Sequence, residues 1–297
     1  MKNKTVLLTG GAGFIGKYTI KELEKEGFNI IVADRKEQPS DLKCKYYKVD
    51  VSFPNLRIVF EENKIDYIIH LAALPSVTES ILKPLVDCRD NYQATVKICT
   101  LAKEFKIKKI VFSSTAAVYA NPQYLPVDEK HPTSFLSPYA ITKNASEQFI
   151  QYCGIDYIIF RYANVYGVGQ DCFGEAGVVA KFFDLMRQNK TIQIYGNGKQ
   201  YRDFIYVSDI AKANVLALNS DIKNEIINVS TNCKTSINEL VAIMSSEIGY
   251  SKKPIYTVPR TGDIEKSVLS NNKFISLFNY IPSIDVKTGI KMLVNNK

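Results

Sequence analysis

The sequence is poor in the residues that build metal and disulfide sites. Its two histidines, His70 and His131, stand far apart, and Cys44, Cys88, Cys99, Cys153, Cys172 and Cys233 are scattered without a CxxC pair. Neither a disulfide framework nor a metal centre is supported. No apolar run is long enough to span a bilayer, and Met1 to Leu8 passes straight into a strand without a signal-peptide pattern, so a cytoplasmic protein with no membrane partner is expected. Arginines are few: Arg35, Arg57, Arg89, Arg161, Arg187, Arg202 and Arg260. The net charge of +8 is carried mostly by lysines spread along the chain, with no basic stretch interleaved with aromatics. That pattern argues against a nucleic-acid partner and leaves phosphates on small molecules as a sufficient anionic target.

What is present is the composition of a globular protein, 46% hydrophobic and 23% charged over 297 residues, enough for one large domain and a smaller lobe. Apolar runs at Thr5–Leu8, Asn29–Ala33, Tyr46–Val49, Tyr67–His70, Ile110–Ser113 and Ile155–Phe160 read as strands. Helical patterns lie between them, up to Glu26, over Asn55–Asn63 and over Asn91–Phe105. This alternation predicts an α/β fold, a doubly wound parallel Rossmann sheet with right-handed crossovers. Beyond Phe160 the rhythm loosens, and glycines punctuate Tyr166–Gly177. We therefore assign residues 1–165 plus 204–230 to the first domain, with Phe204–Leu218 returning to it as a strand and helix. Residues 166–203 plus 231–297 form a smaller α/β lobe that binds the substrate.

Gly10, Gly13 and Gly16 fall at G-x-x-G-x-x-G spacing between the first strand and the first helix, with Phe14 and Ile15 inside the motif. Missing side chains permit the turn, a close approach of backbone to a pyrophosphate, and tight helix packing, while the helix N-terminus favours negative charge. Asp34 ends the next strand, where a carboxylate accepts hydrogen bonds from an adenosine ribose and repels a 2′-phosphate, so NAD is expected over NADP. Arg35 next to it works against that preference. Asp50-Val51, after the third strand, has two readings, an adenine contact or a turn aspartate.

Ser137-Pro138 is a helix start, with Ser137 as cap and Pro138 as first residue, and it places Tyr139 and Lys143 four apart on one face. A tyrosine titrates near pH ~10 in isolation and is a poor base at neutrality. A neighbouring ammonium and a cationic nicotinamide favour the phenolate, and the pair then reads as a general base and its electrostatic support.

Further segments appear in order along the chain. They are His70-Leu71-Ala72-Ala73, Asn91, Ser113-Ser114-Thr115-Ala116-Ala117-Val118-Tyr119, Arg161-Tyr162-Ala163-Asn164-Val165-Tyr166-Gly167, Arg202-Asp203-Phe204-Ile205-Tyr206-Val207-x-Asp209 and Arg260-x-Gly262-Asp263. With Thr9–Gly16 and the Tyr139/Lys143 pair, the chain resembles the extended short-chain dehydrogenase/reductase family, and within it the nucleotide-sugar epimerases, nearly end to end. The resemblance implies that Thr115 hydrogen-bonds the reacting sugar hydroxyl, Tyr139 is the base and Lys143 holds the cofactor ribose. It implies cofactor contacts from Leu71, Ala72, Ala73, Asn91 and Ser113, with His70 a structural strand-end residue. Asn164, Val178, Arg202, Arg260 and Asp263 would hold the nucleotide diphosphate of a UDP-sugar. A homodimer built on the Asn91–Phe105 and Pro138–Cys153 helices is also implied.

Two departures from the family pattern matter. Dehydratase and decarboxylase relatives carry acidic residues just after the catalytic Ser or Thr, whereas this chain has Ala116 and Ala117, which cannot transfer a proton. Elimination is thereby disfavoured, and hydride chemistry remains. In Asn91-Tyr92-Gln93-Ala94-Thr95 an alanine replaces the usual glycine, a matter of local packing. The implied activity is NAD-dependent C4 epimerisation of a UDP-hexose through a 4-keto sugar. In the family a residue four beyond the Gly-Asp aspartate limits the sugar pocket, here Ser267, whose small size implies that UDP-N-acetylhexosamines enter. Two alternatives stand beside this reading: an NAD(P)H-dependent reductase of a nucleotide-linked 4-keto sugar, and a non-catalytic dinucleotide sensor.

Overall fold

The computed structural model describes residues 4–172, 177–259 and 264–296. Its centre is a seven-stranded sheet of β1 (Thr5–Thr9), β2 (Asn29–Asp34), β3 (Lys45–Lys48), β4 (Tyr67–His70), β5 (Lys109–Thr115), β6 (Asp156–Tyr162) and β7 (Glu225–Val229). All neighbours are parallel, in the order β7-β6-β5-β4-β1-β2-β3. The order reverses at β1, so β1 and β4 diverge to opposite halves of the sheet and leave a crevice at their carboxyl ends. Both faces of the sheet are covered, which is why its inner strands read as unbroken apolar runs: Val6, Leu7, Leu8, Ile110, Val111 and Phe112 are at most 1% exposed.

Helices α1 (Phe14–Lys25), α2 (Ala94–Glu104) and α3 (Pro138–Tyr152) flank the sheet. Ser137 caps α3 by accepting from Ala140 N at 3.2 Å, and Pro138 takes the first helical position, as the dipeptide predicts. The helix expected over Asn91–Phe105 begins earlier, at Pro84, and widens into a π turn over Cys88–Gln93 before continuing as α2. A π turn inside a helix is uncommon and is found mostly at functional sites.

The remaining elements hold the other wall of the crevice. Helix α4 (Val178–Arg187) and the Ile237–Ile248 and Val286–Asn295 helices surround a separate apolar core that includes Tyr166, Phe182, Met186, Ile194, Phe204, Leu240 and Ile290. Phe204–Tyr206 pairs with Asn164–Tyr166, and helix α5 (Val207–Asn219) packs on α1. No helix among the described residues is long and apolar enough to cross a membrane.

Candidate active site

The crevice opens into a cleft of about 970 Å³, at the upper end of ligand-site volumes and large enough for more than one small molecule. Its floor is the glycine turn. Gly10 has φ +73°, and a Cβ there would stand 2.7 Å from Ala72 N; one on Gly16 would stand 2.3 Å from Gly10 O. Gly13 caps α1 without a side chain, so the open N–H groups of the first turn face whatever lies in the cleft. These observations fit a dinucleotide pyrophosphate, because a methyl group added at Gly10 or Gly16 would collide with backbone and force open the tight turn that brings the first helical N–H groups to the cleft.

Asp34 lines the same cleft while its two carboxylate oxygens fasten the turn, Oδ2 accepting from Ala12 N at 3.0 Å and Oδ1 from Lys36 N at 2.9 Å. A carboxylate keeps further lone pairs for a ligand hydroxyl. Asp50 and Val51 are also on the cleft wall; Asp50 Oδ1 accepts from Ser52 N and Oγ at 2.9 and 2.6 Å, so the turn reading of this residue holds alongside its exposure to the cleft. Phe14, Ile15, Leu71, Ala72, Ala73 and Ser113 complete this half.

Asn91 stands elsewhere. It is 2% exposed and off the cleft wall, with Oδ1 accepting from Leu74 N at 2.8 Å and Nδ2 donating to Asp87 Oδ1 at 2.7 Å. The π turn carries it beneath the Leu71–Leu74 loop, so it holds the lining loop in place and does not itself line the site. His70 is buried between the hydroxyls of Thr9 and Thr95, 2.7 and 3.2 Å from its two ring nitrogens. Burial, aided by the Lys143 charge, pushes its pKa down to about 3, and it stays neutral.

The reactive groups meet at the mouth of the sheet. Thr115 ends β5 and accepts from Ala117 N at 3.1 Å; Tyr139 projects from the first turn of α3, and both line the cleft. Burial pushes the Tyr139 pKa up to about 12, a hydrogen bond with the Thr115 hydroxyl draws it down, and the Asp87 carboxylate raises it. Lys143 departs from expectation here. It is 2% exposed and off the cleft wall, with its ammonium 4.1 Å from the Phe112 ring centroid, and it is not among the groups that shift Tyr139. Burial lowers its own pKa to about 7, with Glu147 and then Asp87 opposing that shift. The shared helix face is real, but the low-polarity pocket acts on both side chains more strongly than either acts on the other.

Two buried carboxylates behind the site escaped the sequence reading. Asp87 accepts from Thr142 Oγ1 at 2.7 Å as well as from Asn91. Glu147 takes both arms of Arg161, Nε at 3.0 Å and Nη2 at 2.6 Å, and the Ser114 hydroxyl also donates to it. Arg161 Nη1 donates to Tyr119 Oη at 2.9 Å, and Tyr119 donates to Asn228 Oδ1 at 2.8 Å. The signal was present in the spacing: Glu147 lies four residues beyond Lys143, and Asp87 four before Asn91.

On the far wall lie Asn164, Val178, Arg202 and Ser267. Asn164 N donates to Asp203 O at 2.9 Å and Ser267 N to Tyr201 O at 3.2 Å, which sets both residues beside the strand that carries Arg202. Asp203 is itself buried, with Oδ1 held by Thr231 N and Oγ1 and Oδ2 by Asn232 N. Arg260 and Asp263 lie outside the described residues.

Residues 6–230 match the NAD dependent epimerase/dehydratase family, and the chain belongs to it, as an extended short-chain dehydrogenase/reductase with NAD as cofactor. Its relatives narrow the class to enzymes that act at C4 of nucleotide sugars. The chain is 41% identical over an alignment of 299 positions, which covers 98% of its own length and 97% of the relative's, to a putative UDP-glucose 4-epimerase of Methanocaldococcus jannaschii. The crystal structure of a Thermotoga maritima UDP-glucose 4-epimerase with UDP-glucose superposes with a TM-score of 0.94 at 33% identity, covering 98% of this chain and 97% of that one. A UDP-N-acetylglucosamine 4-epimerase of Methanobrevibacter ruminantium, in complex with UDP-N-acetylmuramic acid, superposes with a TM-score of 0.91 at 32% identity over the full length of both chains.

Proposed function

We propose that this protein is an NAD-dependent 4-epimerase of UDP-hexoses that also accepts UDP-N-acetylhexosamines. The observation that carries the proposal is the meeting of Tyr139 and Thr115 on a cleft that has the glycine cradle at one end and Arg202 and Ser267 at the other. A single cavity of this kind holds a dinucleotide and a second nucleotide side by side.

Tyr139 takes the proton of the sugar C4 hydroxyl, and Thr115 orients that hydroxyl and favours the phenolate by donating to it. Bound NAD supplies the hydride acceptor for the C4 hydrogen, the donor that returns it, and a positive charge beside the phenol. Lys143 lies behind the site against the Phe112 ring and reaches the cofactor ribose only by leaving that position. A 4-keto sugar then turns over in the pocket and is reduced on its other face, so there is no net redox change. Asn164, Val178 and Arg202 hold the nucleotide while the hexose turns, which makes the return step effectively unimolecular. Ala116 and Ala117, also on the cleft wall, give no acid for elimination. Residues 1–165 and 204–230 bind NAD, and 166–203 and 231–297 bind the nucleotide sugar.

The protein acts as a homodimer. Ile81, Leu82, Leu85, Ile141 and Tyr152 leave an exposed apolar surface on the helices around α3, with Leu85 85% and Tyr152 83% exposed.

The test is turnover of UDP-glucose and UDP-N-acetylglucosamine by purified protein without added dinucleotide. Both should be interconverted with their C4 epimers. Failure of both substrates, with one NADH consumed per sugar when a UDP-linked 4-keto sugar and reduced dinucleotide are supplied instead, would replace the proposal with a reductase, and turnover of UDP-glucose alone would remove the N-acetyl claim. A Ser267→Tyr variant should lose the N-acetyl substrate and keep the plain hexose.

A further inference from the structure

The adenosine end of the cleft carries charges that oppose one another. Asp34 there favours a free ribose, yet Arg35 and Lys36 follow it immediately, and both line the cleft. A guanidinium in that position would pair a 2′-phosphate through two parallel hydrogen bonds, a stronger and more directional grip than an ammonium provides. Sequence alone therefore leaves the preference between NAD and NADP contested.

The structure shows where the guanidinium goes. Arg35 Nη1 donates to Asp90 Oδ2 at 3.1 Å, across 55 positions of sequence. The other oxygen of the same carboxylate, Oδ1, accepts from Arg89 Nε at 2.7 Å, and Arg89 lies over the Phe53 ring, 5.6 Å from its centroid. Asp90 is buried and also lines the cleft. Its place in the π turn is informative, because consecutive residues there take opposite tasks: Asn91 fastens the Leu71–Leu74 loop from below, and Asp90 meets Arg35 on the cleft side. One carboxylate thus occupies two guanidinium groups beside the site where a 2′-phosphate would sit.

We propose that Asp90 is a specificity-determining residue for the dinucleotide. By holding Arg35, it withdraws the one forked donor on the β2 turn. The inference rests on the cofactor being a nicotinamide adenine dinucleotide, and it explains how a turn reading Asp-Arg-Lys selects the form without the extra phosphate.

The test uses the full-length protein, exchanged to equilibrium against an equimolar excess of NAD and NADP, desalted, and analysed for retained dinucleotide by extraction and chromatography. Asp90→Asn keeps the shape and removes the charge; it should raise the retained NADP:NAD ratio by about tenfold, the effect of one released hydrogen bond to a charged group. Adding Arg35→Gln to that variant should return the ratio to the wild-type value. Arg35→Gln alone should leave the ratio unchanged, because the arginine is already engaged. An unchanged ratio in folded Asp90→Asn overturns the proposal. So does a fall in the ratio on Arg35→Gln alone, which decides the matter even if Asp90→Asn does not fold. Wild-type protein that retains neither dinucleotide would overturn the cofactor reading and this proposal together.

Discussion

Replacing Arg161 by methionine tests whether the buried network behind the site is structural glue or a dispensable ornament. Methionine keeps much of the length and apolar stem but removes three donated hydrogen bonds, two of them to Glu147. The Glu147 side chain is fully buried and that of Arg161 only 4% exposed, so water cannot take the place of the lost partner. An unpaired buried charge of this kind costs about 3–5 kcal/mol, against a total stability of about 5–15 kcal/mol. Changing Glu147 to leucine in the same chain removes the orphaned charge, and exchanging a buried ion pair for apolar residues of similar volume is often neutral. The hydroxyl of Ser114 then loses its acceptor, at about 1–3 kcal/mol. The double variant should therefore be more stable than the single one, although it carries one more change. Urea unfolding followed by far-ultraviolet circular dichroism gives the three midpoints. A single variant within about 1 kcal/mol of wild type would refute the reasoning, as would a double variant no more stable than the single.

Tyr139→Phe should lower kcat by at least about a hundredfold while retained NAD stays at the wild-type level, measured by epimer formation and dinucleotide extraction; undiminished turnover would remove the assigned base. Gly16→Ala puts a methyl carbon 2.3 Å from Gly10 O and 2.6 Å from Gly11 Cα, both backbone atoms, and should cost about 1–3 kcal/mol of stability together with most dinucleotide retention. Lys143 has a folded-state pKa lowered from 10.5 to about 7. Between those values the unfolded chain holds more protons than the folded one, so this group adds stability as pH rises through that window and removes it as pH falls towards 7. In dinucleotide-free protein, Lys143→Met should flatten that rise relative to wild type, as measured by urea midpoints across the range; parallel profiles would contradict the buried placement.

Much of the central sheet was legible because its strands are covered on both faces, and a doubly covered strand such as Ile110–Ser113 has no polar alternation to blur it. The glycine turn and the Ser137-Pro138 helix start were equally plain, since each depends on local backbone chemistry. The second wall was not, because Gln193–Tyr195, Tyr201–Arg202 and Ile255–Thr257 are strands of two or three residues, too short for any period to register. Asn91 was misdirected because a π turn shifts the helical phase that places neighbours on faces. Spacing alone sets Asp87 beside Asn91 and Glu147 beside Lys143, but the partners that fix the roles of Asp87, Asp90 and Glu147, namely Thr142, Arg35 and Arg161, lie 14 to 55 positions away, which no local pattern encodes.

Helix α1 belongs to both halves of the molecule. Its first residues, Phe14 and Ile15, face the nucleotide cleft and also pack, with Tyr18, against the separate apolar core of the far wall, while Tyr18 Oη donates to Val168 O at 3.0 Å. A hinge between the halves would have to tear this shared girder loose from one side. The opening between them is thus braced against widening, and in the proposed reaction the hexose would present its second face by turning about its own linkage to the nucleotide rather than through a swing of the two walls.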